Sequence, residues 1–363
     1  MALSKIRNDS LEDTAVHGAR NLVINGSASV NQRGNSTGVT STGYHSCDRF
    51  KFVYTDAGTW TVSQSTDAPD GFANSFKVEC TTAKGTLASN SRLLITHHFE
   101  GQNLQQLKKG TSYAESLTLS FYVRTNKTGT YQVNLEDNDN IRIIGTTYTV
   151  SSVNTWQKVT ATFAGDTSGV LDNDNGDSFA IHFPLVAGTD NSSGAVPTSW
   201  EAKSNTDRGA GLTVNLADAT SNYWQITGVQ LEVGSATPFE HEPFSVTQQK
   251  CFRYYYDSRF GFNDGGAYSP SRDVQYPYVR ACIAEFPVKM RATPTVSIQS
   301  TSANSMDRFG RGQELCYPKP DNIHSDHFQN IVKYTSSAQT TTTSWTDSGN
   351  YINRAGYKAD AEL

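Results

Sequence analysis

The sequence predicts an all-β protein, a jelly-roll β-sandwich followed by a second, smaller β-sandwich domain. Three observations carry that prediction. Segments of alternating apolar and polar residues recur between turn signals from about residue 20 to 243, which is the period of strands with one buried face. No stretch holds the 3.6-residue period over an ordinary helix length. Only 18% of residues are charged, while Tyr and Phe reach 17 each and Gly 28, a composition that favours strands and turns.

The 363 residues give room for two domains and a short extra segment. Residues 1–20 are polar and lack strand alternation, with a short helical turn predicted around Asp9 to Ala15. Such a segment cannot bury itself and is expected to dock on something else. In 21–244, Leu117, Leu119, Phe121 and Val123 alternate, the turn Asn126-Lys127-Thr128-Gly129 follows, and Tyr131, Val133 and Leu135 alternate again, so a long β-hairpin is expected. Further strands are predicted at Arg92 to Phe99, Ile141 to Val150, Trp156 to Phe163, Phe179 to Leu185 and Tyr223 to Val233. In the last, the inward set switches across Gly228, as at a β-bulge.

In 245–363 the run from Tyr276 to Phe286 is apolar on both faces and reads as one core strand. Strands are also predicted at Thr295 to Gln299, Phe328 to Tyr334 and Tyr351 to Ala359. At the seam, Ser245 and Gln248 have the spacing of a capping box for a short helix. No heptad, collagen triplet or fixed-period repeat is present.

The seam QLEVGSATPFE (Gln230 to Glu240) with CFRYY from Cys251 resembles one in tail-fibre and other virion appendage proteins of tailed bacteriophages. There it closes a carbohydrate-binding-module-like jelly roll and opens a distal domain. NLVINGSASVNQRG from Asn21, Asp48-Arg49-Phe50, and HFEGQNLQQLKKGTSYAESLTLSFYVR from His98 are similar to the same module. So are FAGDTSG at Phe163, DNDNG at Asp172, FPVKMRATPTV at Phe286 and ADAEL at Ala359. The resemblance implies a virion-attachment segment at 1–20, a carbohydrate-binding-module-like jelly roll at 21–244 and a distal, receptor-binding β domain at 245–363. It implies a tail fibre, commonly a homotrimer, that meets other virion proteins through its N-terminus and host cell-surface polysaccharide through its loops. The alternatives are a capsid decoration or connector protein without receptor binding, or a free carbohydrate-binding module.

The residues themselves point to few chemistries. Gly34-Asn35-Ser36-Thr37-Gly38 matches the nucleophile-elbow pattern, yet its flanks are polar and a turn-rich connection is expected. The loop Asp172-Asn173-Asp174-Asn175-Gly176-Asp177 offers hard oxygens for structural calcium, although the glycine sits one place early for an EF-hand and Asx turns explain the stretch equally. Glu136 to Asn140 reads as a solvated turn. His324, Asp326 and His327 could donate to a transition metal, while His97 and His98 are strand neighbours that face opposite ways. Among the tryptophans, Trp156 and Trp224 belong to apolar runs and are expected in the core. Trp60 and Trp200 stand among polar residues and are the better candidates for a sugar-stacking surface. Trp345 and the loops Phe260 to Tyr268 and Phe309 to Tyr317 complete the recognition candidates.

No catalytic, cofactor-binding or metal residue is marked out, and no pair of carboxylates is placed for glycoside cleavage; a non-enzymatic protein without a cofactor is expected. A net charge of -5 argues against nucleic acid. The five cysteines are an odd number and are expected as free thiols. No signal peptide or membrane span is read, so synthesis in a cytoplasm is expected, and the resemblance implies the virion as the location after assembly there.

Overall fold

The computed structural model describes residues 20–258, 274–276, 279–298, 306–308, 316–321, 323–334, 351–353 and 357–363. The chain parts into two compact units between Thr247 and Gln248. The attachment segment expected at 1–20 lies, apart from Arg20, outside the described residues, as do Trp345 and most of the two C-terminal recognition loops.

The first unit is a β-sandwich of two six-stranded antiparallel sheets. Its strands are β1 (Ser36–Val39), β2 (Lys51–Thr55), β3 (Thr59–Ser65), β4 (Ser75–Thr82), β5 (Arg92–Glu100), β6 (Leu117–Thr125), β7 (Gly129–Asp137), β8 (Arg142–Val150), β9 (Gln157–Phe163), β10 (Asp177–Ala187), β11 (Glu201–Ala202) and β12 (Tyr223–Val233). One sheet runs β1-β3-β4-β12-β6-β9 and the other β11-β8-β7-β10-β5-β2. From β4 to β7 the chain changes sheet at every connection, which is the jelly-roll habit. The core between the sheets holds Trp60, Trp224, Phe52, Phe121, Phe179 and Phe183, with Phe50 stacked on Phe76 at 5.1 Å.

The five strands expected from alternation all form, and β12 spans Tyr223–Val233. Gly228 has φ +60 and the pairing of β12 with β6 slips between Thr227 and Gln230, so Trp224 and Ile226 before it and Val229 and Leu231 after it all face the core. The expected hairpin at 117–135 does not form. β6 pairs with β12 and β9, whereas β7 pairs with β8 and β10 in the opposite sheet. The turn between them is held at the start of β12, the neighbour of β6: the Asn126 side chain donates to Ser221 O (3.0 Å) and accepts from Tyr223 N (2.9 Å). Alternation shows which face of a strand is buried, and two strands that line the same core from opposite sides share that pattern.

The QLEVGSATPFE segment closes this unit with a polar clasp. Buried Glu232 accepts from Thr237 N (2.9 Å), Thr237 Oγ1 (2.6 Å) and Gln230 Nε2 (2.9 Å), while Gln230 Oε1 accepts from Glu240 N (2.8 Å). Glu240 in turn accepts from Asn21 N (2.9 Å), and Asn21 Oδ1 accepts from Leu231 N (3.2 Å). First and last segments of the sandwich are thereby tied side by side. A Cβ on Gly26 would stand 2.0 Å from Val229 O, so only glycine allows that approach.

A helix at Phe244–Phe252 follows. Val246 N already donates to Pro243 O (2.9 Å), so Ser245 lies inside the first turn and the capping box expected at Ser245 and Gln248 is displaced. The second unit contains β13 (Tyr255–Asp257), β14 (Val274–Tyr276), β15 (Val279–Glu285), β16 (Thr295–Ile298), β17 (Met306–Arg308), β18 (Cys316–Asp321), β19 (His327–Tyr334), β20 (Tyr351–Asn353) and β21 (Tyr357–Asp360). They form antiparallel sheets of three, four and two strands. The run expected as one core strand from Tyr276 is instead two strands, β14 and β15, paired with each other, Tyr276 opposite Val279. β18 escapes strand signals because it carries Pro318 and Pro320, and it stands at the sheet edge, where proline is tolerated. Phe286, Met290, Val296, Tyr357 and Ala359 form this unit's own core.

Candidate functional site

The chain between β5 and β6 makes two single 3-10 turns, Gly101–Asn103 and Gln105–Leu107, and then passes through Lys108 (φ 49) and Gly110 (φ 81). It meets the loop after β9 closely: a Cβ on Gly110 would lie 2.7 Å from Val170 N and 2.8 Å from Gly169 C. The contact is fixed by Lys109, buried at 7% exposure. Its Nζ pairs with Asp137 and with Asp166 (3.0 Å), donates to Ser168 O and Gly169 O (2.9 Å each), and sits 5.4 Å from the Trp200 ring centroid. Arg142 grips the same Asp166 through Nε (2.7 Å) and Nη2 (3.2 Å). Burial alone would raise the Asp166 carboxyl, but Arg142 and Lys109 overcome that and hold it below its ordinary range.

On this base rests a pocket of about 480 Å³ lined by Leu104, Leu171, Gln105, Lys108, Thr111 and Tyr113, with Val170 and the Lys109 stem completing the wall. Leu104 and Leu171 are buried, while Tyr113 and Val170 are 78% and 64% exposed. The backbone of Tyr113 is held by a bond from its N–H to Thr111 Oγ1 (3.1 Å), so the ring stands out from an ordered turn. An exposed aromatic ring beside an apolar floor suits the apolar face of a pyranose, while at the rim the Lys108 ammonium pairs with Glu115 (2.6 Å) and the Gln105 amide donates to Gly101 O (3.0 Å). Tyr113, Val170 and Leu171 were not singled out by sequence. The available signal was an aromatic residue in a turn with no apolar partner at strand spacing.

The residues that sequence did single out are dispersed. Trp60 is fully buried and donates Nε1–H to Ala57 O (2.7 Å), contrary to the exposure expected from its polar neighbours; its strand alternates, and those neighbours face out. Trp224 is core as expected. Trp156, expected in the core, precedes β9 and is half-buried, its Nε1 donating to Asp67 Oδ1 (3.2 Å). Trp200 is half-buried, packed at 6.1 Å from the Phe179 ring and donating to Ala164 O (2.8 Å).

Glu136 and Asp137 are fully buried ion-pair partners at the end of β7, so the stretch read as a solvated turn is a structural knot. Asp139 accepts from Asp172 N (2.8 Å), Asp174 from Gly176 N (2.7 Å), and Asp177 bonds His98 Nδ1 (2.8 Å). These carboxylates are thus engaged by the protein's own backbone and side chains, and among the described residues no three His, Cys, Asp or Glu side chains are grouped to hold a metal ion. His324 stacks on His327 at 4.7 Å, and His327 Nδ1 lies 2.7 Å from Asp326 Oδ1. His97 packs between Phe50 and Phe99, while its neighbour His98 points to Asp177 on the other face. Ser36 starts edge strand β1, donates to His45 O (2.7 Å) and has no helix after it. Cys47, Cys80 and Cys251 are buried free thiols. Among the described residues no helix is long and apolar enough to cross a membrane.

No protein-family model matches this sequence, and no curated protein matches it. Among solved structures, the chain is similar to the enzymatically active domain of tailspike protein 4 of bacteriophage CBA120, at 12% identity and TM-score 0.33, over 59% of this chain and 21% of that one. It thus spans about a fifth of the tailspike chain. The family 11 carbohydrate-binding module of Clostridium thermocellum, in complex with a β-1,3-1,4-mixed-linked tetrasaccharide, is similar at 12% identity and TM-score 0.28, over 56% of this chain and 98% of that one. The N-terminal cellulose-binding domain of Cellulomonas fimi β-1,4-glucanase C gives 10% identity and TM-score 0.27, over 51% and 90%.

Proposed function

We propose that the chain is a non-enzymatic virion appendage protein of a tailed bacteriophage, most simply a tail fibre, that recognises host surface glycan. The observation that carries glycan recognition is Tyr113, 78% exposed at the rim of a pocket with an apolar floor and a rigid, ion-paired base. A tyrosine on an ordered turn has only two side-chain torsions to fix on binding a sugar ring. The phage setting rests on the ordered sequence segments from Asn21 to Glu240 and from Cys251 to the C-terminal ADAEL. In this reading residues 1–20 attach to the particle and three copies associate, so weak single-site affinity is multiplied by effective concentration.

The test is binding of the full chain to a panel of purified bacterial capsular and lipopolysaccharide glycans, with Tyr113→Ala alongside. Wild type binds at least one glycan, and Tyr113→Ala weakens it by about tenfold, some 1.4 kcal/mol, with an unchanged melting temperature. A panel without a binder, or unchanged affinity in Tyr113→Ala, overturns the reading. Light scattering of the full chain reports the copy number, and a monomer removes the trimeric fibre.

A further inference from the structure

The base beneath the Tyr113 pocket brings together more than an ion pair needs. The Lys109 side chain is 4% exposed, and those of Asp137 and Asp166 are 0% and 3%. Lys109 Nζ pairs directly with Asp137 Oδ2 and lies 3.0 Å from Asp166 Oδ2. Two further acceptors, Ser168 O and Gly169 O at 2.9 Å each, fix where the amine points. Asp137 Oδ1 accepts from the Asn140 backbone N–H (2.9 Å), and Asn140 Nδ2 spans both carboxylate oxygens (3.3 and 3.0 Å).

These are the parts that acyl transfer requires. Lys109 Nζ is a nucleophile held against a carboxyl group, Asp166 is a proton acceptor within its reach, and the Asn140 donors face the oxygen on which negative charge develops. Burial would raise the Asp166 carboxyl, but Arg142 and Lys109 hold it below its ordinary range, so it enters as the base. The site is closed to water, and exchange of a buried ion pair for a neutral amide relieves the cost of keeping two charges inside. The charges that remain are matched, because Arg142 still grips Asp166 through Nε (2.7 Å) and Nη2 (3.2 Å).

We infer that Lys109 and Asp137 condense into an intramolecular isopeptide bond, a covalent cross-link between the β5–β6 connection and the end of β7. Asp166 takes one proton from the ammonium group, and the freed lone pair of Nζ attacks Asp137 Cγ. The Cγ–Oδ2 bond breaks, and Oδ2 leaves as water with the proton from Asp166 and a second from the nitrogen. One ammonium and one carboxylate thus become one amide and one water, nothing is oxidised or reduced, and Asp166 ends as it began. The remaining N–H is left to donate to Ser168 O or Gly169 O. The inference concerns the chain alone and does not depend on the glycan reading.

Intact mass spectrometry of the denatured full chain tests it. The chain is expected to be lighter than its sequence mass by one water, and tandem spectra of a digest are expected to show a branched peptide joining Lys109 to Asp137. Lys109→Met keeps its full sequence mass, and Asp166→Asn, which retains the shape of the base but cannot take the proton, stays mostly uncondensed. The branched peptide is read in the wild-type chain, so the result stands whether or not a variant folds. A wild-type chain at full sequence mass after prolonged incubation at neutral pH overturns the inference. So does a water loss that maps to another pair of residues or that persists in Lys109→Met. Complete condensation in Asp166→Asn overturns the role given to Asp166.

Discussion

Replacing Glu232 by Ala tests whether the clasp at the end of the sandwich holds the fold together. The Glu232 carboxylate is 1% exposed and accepts three hydrogen bonds. Truncation leaves the Gln230 amide with Thr237 Oγ1 (3.2 Å) and Pro238 O (3.3 Å), so the loss falls on the N–H and hydroxyl of Thr237. A hydrogen bond to a charged acceptor contributes about 1.5–3 kcal/mol, and the relief of burying one carboxylate less offsets part of two such bonds. A net loss of about 3 kcal/mol is expected for Glu232→Ala, which lowers the melting temperature of a unit this size by about 6–12 °C. Glu232→Gln keeps one acceptor oxygen and sheds the buried charge, so its cost stays below about 1 kcal/mol. Urea unfolding followed by the fluorescence of buried Trp60 and Trp224 measures both. A loss below about 0.5 kcal/mol in Glu232→Ala, within the range of neutral surface changes, would refute the clasp argument. Equal losses in the Ala and Gln variants would refute the account of the charge.

Gly110→Ala forces a side chain into a left-handed position against the backbone of Val170; a loss of about 2–4 kcal/mol is expected by chemical denaturation, together with weakened glycan binding as the two loops part. His97 and His98 are both held below the ordinary histidine range, first by burial, then for His97 by the neighbouring Arg49 charge. The unfolded chain therefore takes up protons that the folded chain refuses. Stability is full above about pH 6.5 and falls as pH drops below it. His97→Phe removes one of the two groups, and an unchanged slope between pH 7 and 5 in that variant would show that the ring is not the source.

Strand positions in the sandwich were legible because burial on one face leaves a period of two, as in Leu117 to Val123 and Tyr223 to Val233. Sheet membership was not, since β6 and β7 bury the same pattern from opposite sides of one core. The tryptophans show the same limit at the level of single residues. Trp60 has polar neighbours because its strand alternates, and Trp156 sits in an apolar run but just outside the strand that would have carried it inward. The acidic stretch after Leu135 looks solvated in sequence, whereas Glu136 and Asp137 are sealed by Arg208 and Lys109, which arrive from 72 and 28 residues away. Partners at that separation leave no local trace. Tyr113 was hidden for the opposite reason, since an exposed residue has no periodic partner.

The segments that the sequence reading singled out divide by role once their contacts are known. Asn21 ties the two ends of the sandwich, and Asn25 bonds Val30 O and Asp48 O (2.9 Å each). Lys109 and Asp166 pin two loops, and Gln230 and Glu232 form the clasp. Each of these side chains spends its polar atoms on the protein itself, so these segments carry architecture. Tyr113 lies inside one of those segments yet is 78% exposed, and Val170 follows directly after another at 64%. Rim and scaffold should then separate by mutation. Val170→Asn, which touches only the rim, is expected to leave stability within about 0.5 kcal/mol while altering which glycan of a panel is retained. Lys109→Met is expected to unseat Asp137 and Asp166 and cost about 3–5 kcal/mol, as removal of one partner from a buried pair does. If Val170→Asn destabilises the sandwich as much as Lys109→Met, the rim is part of the scaffold and the pocket is not a recognition surface.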